Sequence, residues 1–456
     1  MSLTEPAREM DAGADVPTDL VQVEGLPFLG SLLPIRRNAL GFFSRMLRDH
    51  GDRVQLRVLG RKVILLCHPD DIEEVLVRDR DSFGRSAEIR RLRPIFGNGL
   101  LASDGALWRR QRNIVQPSFQ HNAMTDYASI MLKCISKQLS EWRIGEVRDI
   151  HADMMRYTRE TICSVLFGSE FAAHNLEITN AVSVVFGDLR AEILYLPIWR
   201  SLPFARNTRW NHAVKLLNHS IRTIIGERRS CAEAGNDLLG SLLSAHDSDG
   251  YTMSDEQLHD EILTLFLAGH ETAALSLTWA AYLVATHPEI QERAAEEVFT
   301  VAAGGDVRAE HYPHLRFVTA VAKEALRLYP PVWSLGRVAT KDCALGSLPV
   351  VKGTDIWLCL HRLHRDSRWY PDPERFRPER WLGNQAQRRF TYVPFGIGPR
   401  VCIGQHFAMA ETVLGLASML RRFSFSPTSS VPAEVNAWIS LRPRKSIELR
   451  LQHRNR

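Results

Sequence analysis

Apolar positions along this chain recur mostly at helical spacing, broken near the N-terminus by short alternating runs. Val54, Leu56 and Val58 alternate with Gln55 and Arg57, and Val63–Cys67 is a short apolar run. With Gly60 between them, the two segments are expected to form a hairpin. Residues 1–20 show no periodicity and are expected to be disordered; Gly25–Gly30 reads as a loop before a helix at about 37–49. From about 120 to 345 the pattern is mainly helical.

The clearest helix runs from Ser254 to about Thr286. Ser254 and Gln257 have the spacing of a capping box, and Pro288 lies just past the end. At ~1.5 Å per residue the helix is roughly 48 Å long, enough to cross a domain. From Ala273 to Ala285 it is apolar nearly all round, as a buried central helix is. Gly269, His270, Glu271 and Thr272 interrupt that surface. The stretch left is about 13 residues, well short of the ~20 that cross a bilayer. A mainly α, multihelical fold with a long central helix and a small β-rich lobe is expected.

Composition narrows the class. Hydrophobic residues at 45% and charged ones at 24% suit a large globular protein able to enclose a cofactor. A net charge of +5 is mild at this length and does not imply nucleic acid. No linker, repeat or charge block divides the chain, so a flexible segment 1–24 and one domain over 25–456 are expected. The seven cysteines (Cys67, Cys134, Cys163, Cys231, Cys343, Cys359 and Cys402) are scattered without a CxxC pair, which argues for reduced thiols in the cytoplasm. The start is acidic and polar, without a basic n-region or an apolar h-region, so neither a signal peptide nor a membrane anchor is expected.

The strongest chemical signal is Phe395-Gly396-Ile397-Gly398-Pro399-Arg400-Val401-Cys402-Ile403-Gly404. Two glycines and a proline make a tight turn in which backbone approaches a flat ligand closely. Cys402 is then expected to open an amphipathic helix with Phe407, Ala410, Leu414, Ala417 and Leu420 on its buried side. A thiolate there is stabilised by the free N–H groups of the helix end. A lone cysteine after a glycine loop is more often structural, but the whole ten-residue string is not explained that way.

That string resembles the haem-binding loop of the cytochrome P-450 superfamily, FxxGxRxCxG, at every defined position, and the likeness to its soluble bacterial members extends over about residues 25–450. The resemblance implies that fold, haem b as cofactor, and Cys402 as the axial ligand of its iron, with Phe395, Gly396 and Gly404 around it. Three further motifs follow the family's order. Glu324-Ala325-Leu326-Arg327 is similar to ExxR, whose residues share a helix face; alone it is usually a solvated pair. Pro373-Glu374-Arg375-Phe376 resembles the segment that supplies a second guanidinium, making a structural triad of Glu324, Arg327 and Arg375. Ala268-Gly269-His270-Glu271-Thr272 resembles the oxygen-activation motif AGxET: Gly269 lets the helix open, Thr272 bonds dioxygen, Glu271 relays protons, and His270 is a spacer. Trp108-Arg109-Arg110-Gln111-Arg112 is similar to WxxxR. It implies that Trp108 and Arg112 contact a haem propionate, with Arg337 and Arg400 as further partners. The alternative reading of each of these arginines is a solvated surface charge.

The resemblance implies a monooxygenase that inserts one atom of dioxygen into a hydrophobic small molecule: a terpenoid, fatty acyl chain, steroid or polyketide. A haem-thiolate peroxygenase or isomerase, or a non-catalytic haem-binding protein, is the alternative; neither needs the intact Glu271-Thr272 pair. Electrons come from outside, since no flavin or nicotinamide fingerprint is present. A ferredoxin or flavodoxin with its NAD(P)H reductase is expected, steered by Arg109 and Arg110, and the enzyme is expected to act as a monomer. The substrate pocket is expected from Leu265, Ala268, Val332, Trp333, Leu335, Trp438 and Ile439, together with Ile193–Trp199; these residues suit an apolar ligand and equally suit a core.

Overall fold

The computed structural model describes residues 20–168, 181, 184–185, 205–230, 235, 237–247, 249–383, 388–437 and 439–454. The flexible segment expected over 1–24 therefore lies mostly outside the described residues. Its end does not: β1 (Val21–Gln22) pairs in parallel with β2 (Arg53–Val58), so the chain enters the sheet before residue 25. Between them, α1 (Leu32–His50) starts earlier than expected but carries a non-helical break at Asn38. β2 returns through Leu59 and Gly60 into β3 (Arg61–Leu66). Both turn residues have positive φ, 49° and 76°, which matches the twist of a two-residue hairpin.

β4 (Phe83–Arg85) is followed by α2 (Gly105–Val115), α3 (His121–Ser140), β5 (Val147–Asp149), α4 (Ile150–Phe167) and α5 (Ala205–Ser230). The central helix α6 (Asp255–Thr286) comes next, then α7 (Pro288–Val301) and α8 (Arg316–Leu328). β6 (Leu335–Ala339), β7 (Cys343–Leu345), β8 (Leu348–Val350) and β9 (Asp355–Leu358) precede α9 (Gln405–Arg422). The chain closes with β10 (Phe423–Pro427), β11 (Val435–Ala437), β12 (Leu441–Pro443) and β13 (Glu448–His453). The β-rich lobe is a six-stranded sheet in the order β1-β2-β3-β9-β6-β4. β11 and β12 form a separate antiparallel hairpin.

Ser254 caps α6 as its sequence predicts, with both capping-box bonds formed to Gln257. Helices α4, α8 and α9 pack around α6. Gly269 does not mark a kink. A Cβ there would stand 3.3 Å from Ile162 Cδ1, so the glycine permits close contact with α4. Farther along, Trp279 is fully buried, stacks on Tyr329 with centroids 4.1 Å apart, and donates its indole N–H to the Leu441 carbonyl at 3.0 Å. Burying a large apolar side chain contributes about 1.5–3 kcal/mol; here it also ties the C-terminal hairpin to the central helix.

Candidate active site

The cysteine loop is a turn held from both sides. Gly396 and Gly398 take φ of 71° and 73°, and a Cβ on Gly398 would lie 2.2 Å from the Leu76 carbonyl oxygen. Only glycine fits there. Cys402 donates its N–H to the carbonyl of the half-buried Phe395 at 3.0 Å. The helix expected to open at Cys402 opens instead at Gln405, with Gly404 as its cap. Cys402 therefore sits in the loop before the first turn, while Phe407, Ala410, Leu414, Ala417 and Leu420 are buried as expected. The sulfur is enclosed by protein yet faces open space: the residue is exposed, while its surroundings push the thiol pKa up. Burial is the main cause; the Gly404 N–H and the Arg112 charge act against it. A bound cation would stabilise the thiolate there.

On α6, Ala268 is exposed although Ile262–Leu267 are buried, and Gly269 and Thr272 are half-buried. Between Leu258 and Ala281 these are the open positions of a helix otherwise buried. Thr272 donates its hydroxyl back to the Ala268 carbonyl at 2.8 Å. His270 is buried, stacked on Phe266, and burial holds its pKa down to about 4. It fills the contact with α4 rather than the open face. Glu271 is buried, and its Oε1 accepts the Ser440 hydroxyl and Arg442 Nε–H, each at 2.5 Å. Its pKa lies below the usual carboxylate range: burial alone would raise it, but Arg442 and Ser440 outweigh that.

A cluster of guanidiniums lies beside the cysteine loop. Arg112 donates to the Val401 carbonyl at 2.8 Å. Arg400 lies 4.3 Å over the ring of the buried Trp108 and donates to Ser103 O at 3.1 Å and Asp104 Oδ1 at 2.6 Å. Arg337 is buried, and desolvation with the Arg400 charge holds its pKa down to about 10. Arg85, which the sequence did not single out, faces Arg337 in strand register. Burial and the charges of Arg400 and Arg337 depress it strongly, and its Nε is sealed from solvent without a hydrogen-bond partner. Only Asp104 opposes the charges of Arg85, Arg337 and Arg400 among their resolved influences. Such a cluster, with an orphaned donor, fits a dianion, and the two propionates of a haem are one.

Glu324 anchors the structural clamp. It is fully buried and accepts from Arg327 Nη2 at 2.8 Å and Arg327 Nε at 2.9 Å. The second guanidinium is that of Arg380, not Arg375: Arg380 Nε donates to Glu324 Oε1 at 2.9 Å. Trp381 Nε1 at 2.9 Å and the Arg377 N–H at 3.0 Å complete the set. The Arg375 side chain is exposed, and only its carbonyl takes part, accepting from Arg327 at 3.2 Å. The sequence carries two near copies of one string, Pro373–Phe376 and Pro378–Trp381. The second forms the 3₁₀ turn that aims Arg380 and Trp381 at Glu324.

The expected pocket residues divide. Leu265 is buried one turn before Ala268, on the same helix face. Val332 and Leu335 are half-buried, and Leu335 stands beside the cysteine loop, 3.6 Å from where a Gly396 Cβ would be. Trp333 is instead core, packed against Phe43 with ring centroids 5.7 Å apart. Ile439 is 36% exposed. Trp438 and 193–199 lie outside the described residues. Arg109 is exposed, whereas Arg110 pairs with Asp247 at 3.5 Å and lies over Tyr251, so it is committed within the chain.

Comparison with known proteins agrees with this geometry. The profile of the cytochrome P-450 family matches residues 22–451. The chain is 36% identical over 411 residues to a cyclooctatin synthase of Streptomyces melanosporofaciens, covering 88% of this chain and 89% of that protein. It is 32% identical to a pentalenene oxygenase of Streptomyces avermitilis, over 87% of this chain and 89% of the relative. Likewise it is 32% identical to a cyclooctat-9-en-7-ol 5-monooxygenase of Streptomyces melanosporofaciens, over 88% of each. A family match of this span, with relatives alike over most of their length, makes this chain a member of the cytochrome P-450 family and an oxidoreductase of its haem-thiolate monooxygenase class.

Proposed function

We propose that this enzyme oxidises a terpenoid, with Cys402 as the axial thiolate of haem b. The observation that carries the assignment is the placement of Cys402. Of the described cysteines its side chain alone is exposed, and it sits in the glycine turn; Cys67, Cys134 and Cys359 are buried and Cys163 and Cys343 half-buried. When bound, the haem supplies the activation of dioxygen, which an electron-rich thiolate favours. The chain's own residues do the rest. Arg85, Arg112, Arg337 and Arg400 neutralise the propionates, and Trp108 supports Arg400 from below. Ala268 keeps the face of α6 open, Thr272 holds a proton there, and Glu271 is the acid that replaces it.

Support for the substrate class is twofold. Leu265, Val332, Leu335 and Ile439 offer an apolar wall, and the relatives named above act on terpenoids. Electrons arrive from a ferredoxin or flavodoxin on the side of the cysteine loop. A cavity of about 1170 Å³ opens there, lined by Arg112, Gln116, Met124, Tyr312, Cys402 and His406 among others. No helix among the described residues is long and apolar enough to cross a membrane.

The test has two arms. Cys402→Ser should lose the red-shifted band that thiolate ligation gives the reduced carbon monoxide complex; its retention would assign the iron to another cysteine. A panel of terpenoids, fatty acids, steroids and macrolides should show its low-to-high spin shift with a terpenoid. A shift confined to another class would overturn the substrate reading.

A further inference from the structure

Glu271 and Thr272 are neighbours on α6 but do not face the same way. Thr272 lies on the open face, whereas the Glu271 carboxylate is buried and turned to the C-terminal hairpin. Its grip there is specific. Ser440 and Arg442 lie either side of Leu441, and alternate residues of an extended strand point the same way. Leu441 is fully buried and fixed twice: its N–H donates to Pro331 O at 2.9 Å and its carbonyl accepts from Trp279 at 3.0 Å. With 441 pinned, 440 and 442 both meet Glu271. Arg442 Nε also donates to Ser440 Oγ at 3.2 Å, closing a triangle on Glu271 Oε1. Among the described residues no hydrogen bond falls on Oε2.

We propose that Arg442 and Ser440 are positioning residues which keep Glu271 ionised and turned from Thr272, so that proton delivery is gated from the β11–β12 hairpin. This deepens the reading of Glu271 as the proton donor and rests on it. Arg442 suits the role because its side chain is 35% exposed while that of Glu271 is 5% exposed, so the ion pair links solvent to the interior. The other charged and titratable groups that bear on the site are few. His151 and Asp149 stand at the start of α4; His151 is held below its usual pKa mainly by burial. His270 and Arg159 lie on the α4 side. Arg442 is the cation that bonds Glu271 directly. While that bond holds, the carboxylate has no proton to give; to act it must take one from solvent and leave Arg442, and the pair re-forms once the proton has moved on.

Removal of the cation should turn a charged, tethered group into a neutral, mobile one, since a buried carboxyl without its partner protonates more readily. The experiment compares Arg442→Gln, Arg442→Lys, Ser440→Ala, Glu271→Gln and the double variant Glu271→Gln/Arg442→Gln, all as haem-loaded protein. Infrared difference spectra against pH read the carboxyl group directly, whatever the turnover. Arg442→Gln should show a protonated-carboxyl band at pH values where the wild type and the double variant show none. Product formed per NAD(P)H should then vary several-fold across that titration, where the wild type is flat. Arg442→Lys should restore the wild-type profile, and Ser440→Ala should move it part of the way. A flat profile with no new band in Arg442→Gln would overturn the gate even if Glu271→Gln lowers product. Unchanged product in Glu271→Gln would instead overturn the donor role on which the gate depends.

Discussion

Arg85 and Arg337 stand directly opposite each other in the antiparallel β4–β6 pair, and the charge of Asp104 reaches both. Like charges in register destabilise a sheet, so the arrangement makes sense only with an anion between them. Arg85→Gln should therefore act with opposite signs on two measurements. The haem-free protein should become slightly more stable to urea, while haem loss to a scavenger should accelerate roughly 10- to 100-fold, as expected for a charge-assisted bond of about 1.5–3 kcal/mol. Slower haem loss would remove Arg85 from the propionate set.

Arg375 and Arg380 should behave unlike each other despite their matching sequence contexts. Arg380→Ala strips a guanidinium from a fully buried carboxylate and should cost roughly 3–5 kcal/mol, with poor recovery of haem-loaded protein. Arg375→Ala removes an exposed side chain, and its midpoint in urea should shift by less than about 0.5 kcal/mol equivalent. Equal losses in the two would mean that the turn at Pro378 does not select between them.

Thr272→Ala should leave haem content and substrate binding near those of the wild type, because it removes a hydroxyl whose only described bond is to its own helix. Reducing equivalents should still be consumed, with more of them recovered as hydrogen peroxide. Positioned proton transfer contributes ~10²–10⁴-fold, so product per NAD(P)H should fall at least several-fold. Unchanged coupling would reduce Thr272 to packing.

Glu261 gives the fold a pH dependence that is independent of catalysis. It is fully buried on α6, its Oε2 accepts the Leu100 N–H at 3.1 Å, and its Oε1 has no partner. Burial raises its pKa from 4.5 to about 8, with the charge of Asp260 adding and the Leu100 bond opposing. The folded state thus holds a proton that the unfolded state releases. Stability conferred by that proton is fully present below about 4.5 and is lost as pH rises toward about 8, by up to roughly 1.4 kcal/mol per pH unit. Urea midpoints across this window should fall with pH in the wild type and flatten in Glu261→Gln. The same slope in both proteins would assign the effect to another group.

The long helix was legible because its ends are written locally, a capping box at Ser254 and Pro288 beyond Thr286. So was the hairpin, through the alternation of Val54–Val58 and the glycine at 60, although nothing in the sequence marks Leu59 for its positive φ. The glycine turn before Cys402 was legible, but the start of the following helix was not: the Cys402 bond to Phe395 and the close approach of Gly398 to Leu76 delay the first turn to Gln405. Arg380 was hidden by its twin, since sequence alone does not say which of two copies a 3₁₀ turn will aim inward. Arg85 left no local signal at all. Its significance comes from register with Arg337, a partner far downstream that only the folded sheet brings opposite. Trp333 looked like a pocket wall for the opposite reason: an aromatic ring reads the same in sequence whether it meets a ligand or Phe43.

The two glycines of the cysteine turn set different limits on anyone redesigning this enzyme. At Gly396 the nearest protein atom to an added Cβ is Leu335 Cδ1 at 3.6 Å, so the surrounding protein leaves the sign of φ as the restriction. Asparagine, which tolerates that region best among the L residues with a side chain, should survive there. At Gly398 the obstacle is backbone, the Leu76 carbonyl, which no rotamer change can move aside. A saturation library should therefore return several functional clones at 396 and glycine alone at 398.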